Sequence, residues 1–446
     1  MTARLTMDRR ALLAGAGALA AALTLDRAGA AAQDVVRRPG AFPPGFLWGA
    51  ATAGHQVEGN NTASDLWLLE HTTPTVFAEP SGDADNSFAL WATDLDLARA
   101  LGLNTYRFSL EWARIEPEPG AFSRAMLDHY KAVVDGCRPR GLTPVVTFNH
   151  FTAPRWFAAR GGFTNREAPD LFARFCDRAA RHLAGNVGYA LTFNEPNILR
   201  LLRGLLPPQL LDAQRAMLAA AARAAGTPKF VAANAATPED VEAMLPIMVA
   251  AHKAGRAAIK AARGDLPVGV SLAMTDDEAA GPNSLRDAKR AEVYGAWLEA
   301  ARGDDFLGVQ NYERVRWDAN GRLPAPAGAV RNWSGAEVYA PSLAGAVRYA
   351  HQATGVPILV TEHGVGTDDD AIRAALIPAA LAELRKAMDD GVPVKGYVHW
   401  SLLDNYEWVF GFRPKFGLCS VDRTTFARTP KPSAAVLGAI ARRNAV

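Results

Sequence analysis

The 446 residues are 49% hydrophobic and 21% charged, which is enough apolar material for a large core and unlike a disordered or fibrous chain. There are 48 basic residues against 46 acidic ones, and residues 1–32 hold four arginines and two aspartates, so the remainder carries 44 of each. A balanced chain has no basic footprint for nucleic acid and no long-range steering of anionic partners, which directs attention to a small ligand.

At the amino terminus, Arg9-Arg10 precedes the apolar run Ala11 to Leu25, and Ala30-Ala31-Ala32 precedes Gln33. This pattern predicts a twin-arginine export signal over residues 1–32, cleaved to release a periplasmic or extracellular protein with no membrane contact. The apolar run is shorter than the roughly 20 residues that span a bilayer, and an uncleaved tether is the other reading. Cys137, Cys176 and Cys419 are odd in number and lack metal spacing. Buried thiols are the preferred reading, with a Cys137 to Cys176 bridge as the alternative in an oxidising compartment.

A first strand is predicted over Phe46 to Gly54, running into the polar cluster His55-Gln56-Val57-Glu58. A helix follows over Asp85 to Leu101, with apolar residues at helical spacing. The second strand, Thr105 to Leu110, presents Arg107 from inside an apolar run, where a charge needs a partner. Ser123 can cap the next helix, and the third strand, Thr143 to His150, ends on His150. A helix over Asp170 to Leu183 feeds the fourth strand, Tyr189 to Glu195. Residues 200–245, rich in Ala and Leu, read as helices and loop over the barrel mouth. A helix over Ala250 to Arg263 precedes the fifth strand, Pro267 to Leu272. The sixth strand is Phe306 to Tyr312, and a Gly- and Pro-rich loop fills 318–335. Helices at Ser342 to Thr354 and Asp370 to Asp390 flank the seventh strand, Pro357 to Glu362. The eighth, Val394 to Trp400, opens into the polar and aromatic cluster Ser401 to Trp408.

Eight strands, most of them preceded by a helical stretch, predict a single (β/α)8 TIM barrel over residues 40–446, with loop insertions at the carboxyl-terminal face of the strands. No Gly-rich phosphate loop follows the first strand, so a nucleotide-binding fold is excluded. Strands four and seven each deliver one glutamate, Glu195 and Glu362, to the face where such barrels do chemistry. Opposed carboxylates suggest hydrolysis of a glycosidic bond.

Thr192-Phe193-Asn194-Glu195-Pro196 and Val360-Thr361-Glu362-His363-Gly364 resemble the two signatures of the glycoside hydrolase family 1 β-glycosidases. The segment Phe42 to Ala53 resembles that family's amino-terminal signature, and Trp400-Ser401-Leu402-Leu403-Asp404-Asn405-Tyr406-Glu407-Trp408 its carboxyl-terminal one. The similarity runs from about residue 40 to 440. It implies a retaining mechanism with Glu362 as nucleophile and Glu195 as acid/base, and with Arg107 and Tyr312 favouring the charged form of Glu362. It also implies substrate contacts at Gln56, His150, Asn194, Trp400, Glu407 and Trp408, and neither metal nor organic cofactor. The carboxylate of Glu407 stands where members acting on 6-phosphorylated sugars resemble a Ser pattern, so an unphosphorylated sugar is expected. His363 stands where the family usually has Asn, and Phe151 where many members have Trp. His55, Glu58 and Glu111 read as hydrogen-bonded scaffold.

The expected activity is removal of a terminal β-linked glucose from a small glycoside or oligosaccharide. Galactose or fucose, or transfer to an acceptor other than water, are alternatives on the same site. A non-catalytic sugar-binding protein is the alternative of another class.

Overall fold

The computed structural model describes residues 40–203 and 207–446, so the export signal expected at residues 1–32 lies outside the described residues. Phe42–Val446 forms one compact unit. Its centre is a closed barrel of eight parallel strands: β1 (Leu47–Ala51), β2 (Thr105–Ser109), β3 (Thr143–Asn149), β4 (Tyr189–Asn194), β5 (Val268–Ala273), β6 (Phe306–Asn311), β7 (Ile358–His363) and β8 (Val394–Trp400). They follow one another around the ring in sequence order, and β8 pairs with β1 to close it. This is the (β/α)8 barrel expected from the sequence.

Alternation along each strand separates two cores. On β2, Tyr106 and Phe108 join the main core under the helices, while Arg107 points into the barrel. Inside, Leu47, Val145, Leu191, Phe306 and Leu359 form a separate apolar plug near the amino-terminal ends of their strands. The plug excludes water from below and leaves the upper barrel for polar groups. Register shifts in the β4–β5 and β6–β7 ladders fall beside Asn194 and Gln310. Such irregularities re-aim side chains: Thr192 bonds His252 and Phe193 stacks on Phe172, yet Asn194 turns into the barrel.

The helices form largely where periodicity placed them. Ser123 accepts a bond from Met126 N and caps the helix Arg124–Cys137. The helix Ala168–Leu183 buries Phe172, Phe175, Cys176 and Ala179. One boundary differs substantially: the helix expected from Ala250 begins at Pro238 and runs to Ala262. Residues 238–245 therefore belong to a barrel helix packed along Ala168–Leu183, not to a mouth loop. A close approach is possible because Gly255 has no Cβ, which would otherwise sit 2.7 Å from the Phe172 ring.

The first strand also ends earlier than expected, at Ala51, and Gly54–Val57 forms a helical turn. Helix Pro208–Ala224 builds a satellite apolar cluster in which Met217 and Ala221 join Leu66, Leu69, Phe77 and Tyr406. Cys137, Cys176 and Cys419 are buried and free, so the alternative Cys137 to Cys176 bridge is not formed. Among the described residues no helix is long and apolar enough to cross a membrane.

Candidate active site

Arg107 is wholly buried inside the barrel, and its partners explain how a charge is held there. Its Nη1 donates to Glu362 Oε1 at 2.5 Å, its Nη2 to Asn194 Oδ1 at 2.6 Å, and its Nε to Thr147 Oγ1 at 3.2 Å. One guanidinium thus ties β2 to β3, β4 and β7. Tyr312, just past β6, donates its hydroxyl to Glu362 Oε2 at 2.6 Å. Each carboxylate oxygen of Glu362 therefore has its own charged or hydroxyl donor.

A residue not anticipated from the sequence completes this arrangement. Gln310 Nε2 lies 2.7 Å from Asn194 Oδ1 and 3.0 Å from Glu362 Oε1. Its signal was the same as for Glu195, a polar residue ending an apolar strand, but a glutamine there carries no distinctive chemistry.

Glu195 follows Asn194 with a positive φ of 43°, which turns its side chain off the strand line. The two glutamates differ in surroundings. Burial, then the charge of Glu362, push the Glu195 carboxyl well above the ordinary range, with Arg107 opposing and Glu407 adding to the push. Burial also raises Glu362, but Arg107 and the Tyr312 hydroxyl pull it back. The expectation that these two neighbours favour its charged form holds for their own effect, while burial outweighs them in the net direction. Glu195 is thus raised further than Glu362, and of the two it holds a proton more strongly.

The remaining expected residues line up beside this pair. Trp400 Nε1 donates to Glu407 Oε1 at 3.2 Å, and the His150 ring stacks on Trp400 and Trp408 at 5.8 and 6.2 Å. Trp400 also packs in one cluster with Tyr312. Burial and Arg107 hold the His150 imidazole well below its usual pKa, so it is neutral, and among the described residues its Nδ1 has no partner. Gln56 spends its amide N–H groups on Tyr406 O at 2.7 Å and Asn405 Oδ1 at 3.1 Å, leaving Oε1 buried and unpaired among the described residues. Glu407 is pushed well above the ordinary carboxylate range by burial, with Glu362, Asp404 and Asp85 adding to the push. Asn194 Oδ1 is occupied by Arg107 and Gln310, so its amide N–H groups remain to donate. The structure thus brings all ten expected residues to the carboxyl-terminal side of the barrel.

The scaffold readings also hold. His55 pairs with Glu70 at 2.7 Å, Glu58 binds Arg114 and Tyr130, and Glu111 accepts from Asn61, Thr152 and the His55 backbone. His363 points away from the carboxylates to the Tyr397 hydroxyl at 2.9 Å, and burial lowers it to about 3. Phe151 meets Trp408 edge-on at 5.2 Å. Among the described residues no group of three or more His, Cys, Asp or Glu is placed to hold a metal ion.

Comparison with known proteins places this geometry. The sequence model for glycosyl hydrolase family 1 matches residues 38–297 and 329–446. The thermostable beta-glucosidase B of Thermobispora bispora is 30% identical, over 90% of this chain and 91% of that one. Among solved structures, the apo form of a beta-glucosidase designated 1317 is 45% identical with a TM-score of 0.86, covering 90% of this chain and 98% of its own. A beta-glycosidase designated BGL167 is 46% identical with a TM-score of 0.85, covering 91% and 98%.

Proposed function

The chain belongs to glycosyl hydrolase family 1 and is an O-glycosyl hydrolase, and from that premise we propose that it is a retaining β-glycosidase acting on a terminal, unphosphorylated β-linked glucose. The observation that carries the reading is the asymmetry of the two glutamates: Glu362 is clamped by Arg107 and Tyr312, and Glu195, which among the described residues has no such donor, is raised further and keeps its proton.

In the first step a Glu362 oxygen attacks the anomeric carbon while Glu195 gives its proton to the departing glycosidic oxygen. The C–O bond to the leaving group breaks as the glycosyl ester on Glu362 forms. Esterification removes the negative charge that raised Glu195, so Glu195, now ionised, can take a proton from water. That water attacks the anomeric carbon, breaks the ester and releases the sugar with its configuration retained.

Sugar hydroxyls have partners waiting. Asn194 offers N–H donors, Gln56 an unpaired Oε1, and neutral His150 one donor and one acceptor. The faces of Trp400 and Trp408 suit the C–H side of a pyranose. Glu407, raised first by burial and then by Glu362, Asp404 and Asp85, sits among acids that disfavour the added negative charge of a phosphate, which supports the unphosphorylated glycone. A panel of aryl β-glucoside, galactoside and fucoside tests the assignment. The glucoside is expected to be cut best and Glu362→Ala to be inactive; a panel left uncut by the wild type defeats it. Export directed by a twin-arginine-type signal over residues 1–32 is part of the proposal, supported by Arg9-Arg10 and the apolar run behind it.

A further inference from the structure

A cleft of about 540 Å3 opens beside the catalytic loops. Its walls include Glu313, Arg314 and Arg316, which lead away from Tyr312, Arg322 and Arg331 from the following loop, and Phe410, just past Glu407 and Trp408. The short strand Arg314–Trp317 explains the density of charge. Val315 is buried, and period-two alternation turns Arg314 and Arg316 together to the other face.

Two of the arginines are already neutralised. Arg314 forms a two-pronged pair with Glu337 at 2.8 and 3.1 Å and reaches Glu278 at 3.2 Å. Arg322 pairs with Glu313 at 3.2 Å. Arg316 and Arg331 stand opposite Glu278 and Glu337 in the backbone pairing, but both glutamates turn to Arg314, and among the described residues neither arginine forms an ion pair; Arg331 bonds the Gly335 carbonyl at 3.1 Å. Next to them stands an exposed aromatic pair: Trp333 and Phe410, 36% and 49% exposed, meet edge-on at 4.6 Å. Trp333 is fixed there by its backbone, which donates to Gly366 O at 2.9 Å on the loop after Glu362.

We infer that this cleft receives the leaving group, and that it selects leaving groups that are aromatic and carry a carboxylate, such as hydroxybenzoates. The inference rests on the glycosidase reading. With the sugar held deep in the barrel by Gln56, His150 and Glu407, the leaving group must extend outward over the loops that follow β6 and β8. There an aromatic ring meets Trp333 and Phe410, and a carboxylate meets Arg316 and Arg331, the two arginines of the cleft whose glutamate neighbours are already engaged by Arg314. The overall charge balance does not oppose this, because the attraction is local and acts within a Debye length.

The test compares kcat/KM for the β-glucosides of 4-hydroxybenzoate and 4-hydroxybenzamide, matched in shape and differing in charge. The amide is intrinsically the better leaving group, so a preference for the carboxylate reports recognition. Wild type is expected to favour the carboxylate about fivefold at low ionic strength. The ratio should fall towards one in Arg316→Gln/Arg331→Gln and, without any variant, as salt is raised. Equal or reversed preference in the wild type, or a ratio unmoved by both the substitutions and salt, overturns the inference. If neither glucoside nor any member of the aryl panel is cut, the glycosidase reading itself fails and this inference with it. Good turnover of the amide without discrimination defeats the leaving-group inference alone.

Discussion

Arg107 Nη1 lies 2.5 Å from Glu362 Oε1, with the guanidinium wholly out of water and the carboxylate almost so. Two opposite charges buried this way depend on each other, since either alone pays an uncompensated desolvation penalty. The same contact, with the Tyr312 hydroxyl, favours the ionised form of Glu362.

Arg107→Met strips Glu362 of its counter-charge, removes one of the donors to Asn194 Oδ1 and takes away the guanidinium N–H that Thr147 accepts. Loss of about 3–5 kcal/mol of stability is expected in denaturant unfolding. Residual activity should be more than a hundredfold lower, with its acidic limb moved to higher pH.

Tyr312→Phe removes one hydrogen bond to Glu362 and leaves packing against Phe416 intact. Because that bond lowers the Glu362 pKa, its loss raises it, and the acidic limb of kcat/KM should move to higher pH. A fall in kcat of roughly tenfold is expected, which is about 1.4 kcal/mol of transition-state stabilisation. A profile that stays in place contradicts the assigned contact.

Glu195→Gln separates activity from stability. The folded protein holds a proton on Glu195 above the ordinary glutamate range, so it binds more protons than the unfolded chain there and loses stability as pH rises. The amide carries no such linkage. The variant should melt at a higher temperature than wild type at pH 7, with the gap closing towards about pH 4, where the free glutamate is itself protonated. It should also lose the basic limb of the rate profile and fail most on poor leaving groups.

Gln310→Glu introduces a carboxyl at the atoms that now donate to Asn194 and Glu362. Like charges that close do not both ionise, so proton sharing with Glu362 should lower kcat/KM at least about a hundredfold at neutral pH. Gln310→Ala, which removes the donor and adds no charge, should be milder. Equal losses in the two variants would show that charge at this position is unimportant.

Much of this site was legible because strand ends are legible. Arg107, Glu195 and Glu362 are polar residues at or near the ends of apolar runs, and an arginine in such a run demands a partner. Gln310 obeys the same pattern but is chemically quiet, so only the bonds to Asn194 and Glu362 reveal its place. The start of helix Pro238–Ala262 was obscured by Pro246, which ordinarily ends a helix. Here packing along Ala168–Leu183 carries the helix through it, although Thr237 caps its start and Pro238 occupies a favoured first position. The loop strands Asp276–Ala279 and Arg314–Trp317 are four residues each and acquire their conformation only by pairing with one another. The leaving-group cleft was invisible for the same reason, because its arginines become neighbours only once those strands pair.

The central claim is that Glu362 attacks the sugar while Glu195 supplies the proton. The most direct measurement is to incubate the enzyme with a 2-deoxy-2-fluoro β-glucoside bearing a good leaving group, digest it, and locate the sugar by mass spectrometry. One sugar residue esterified to Glu362 is the predicted result. A sugar attached to Glu195 or any other side chain, or rapid leaving-group release with product of inverted configuration and no ester, would contradict it.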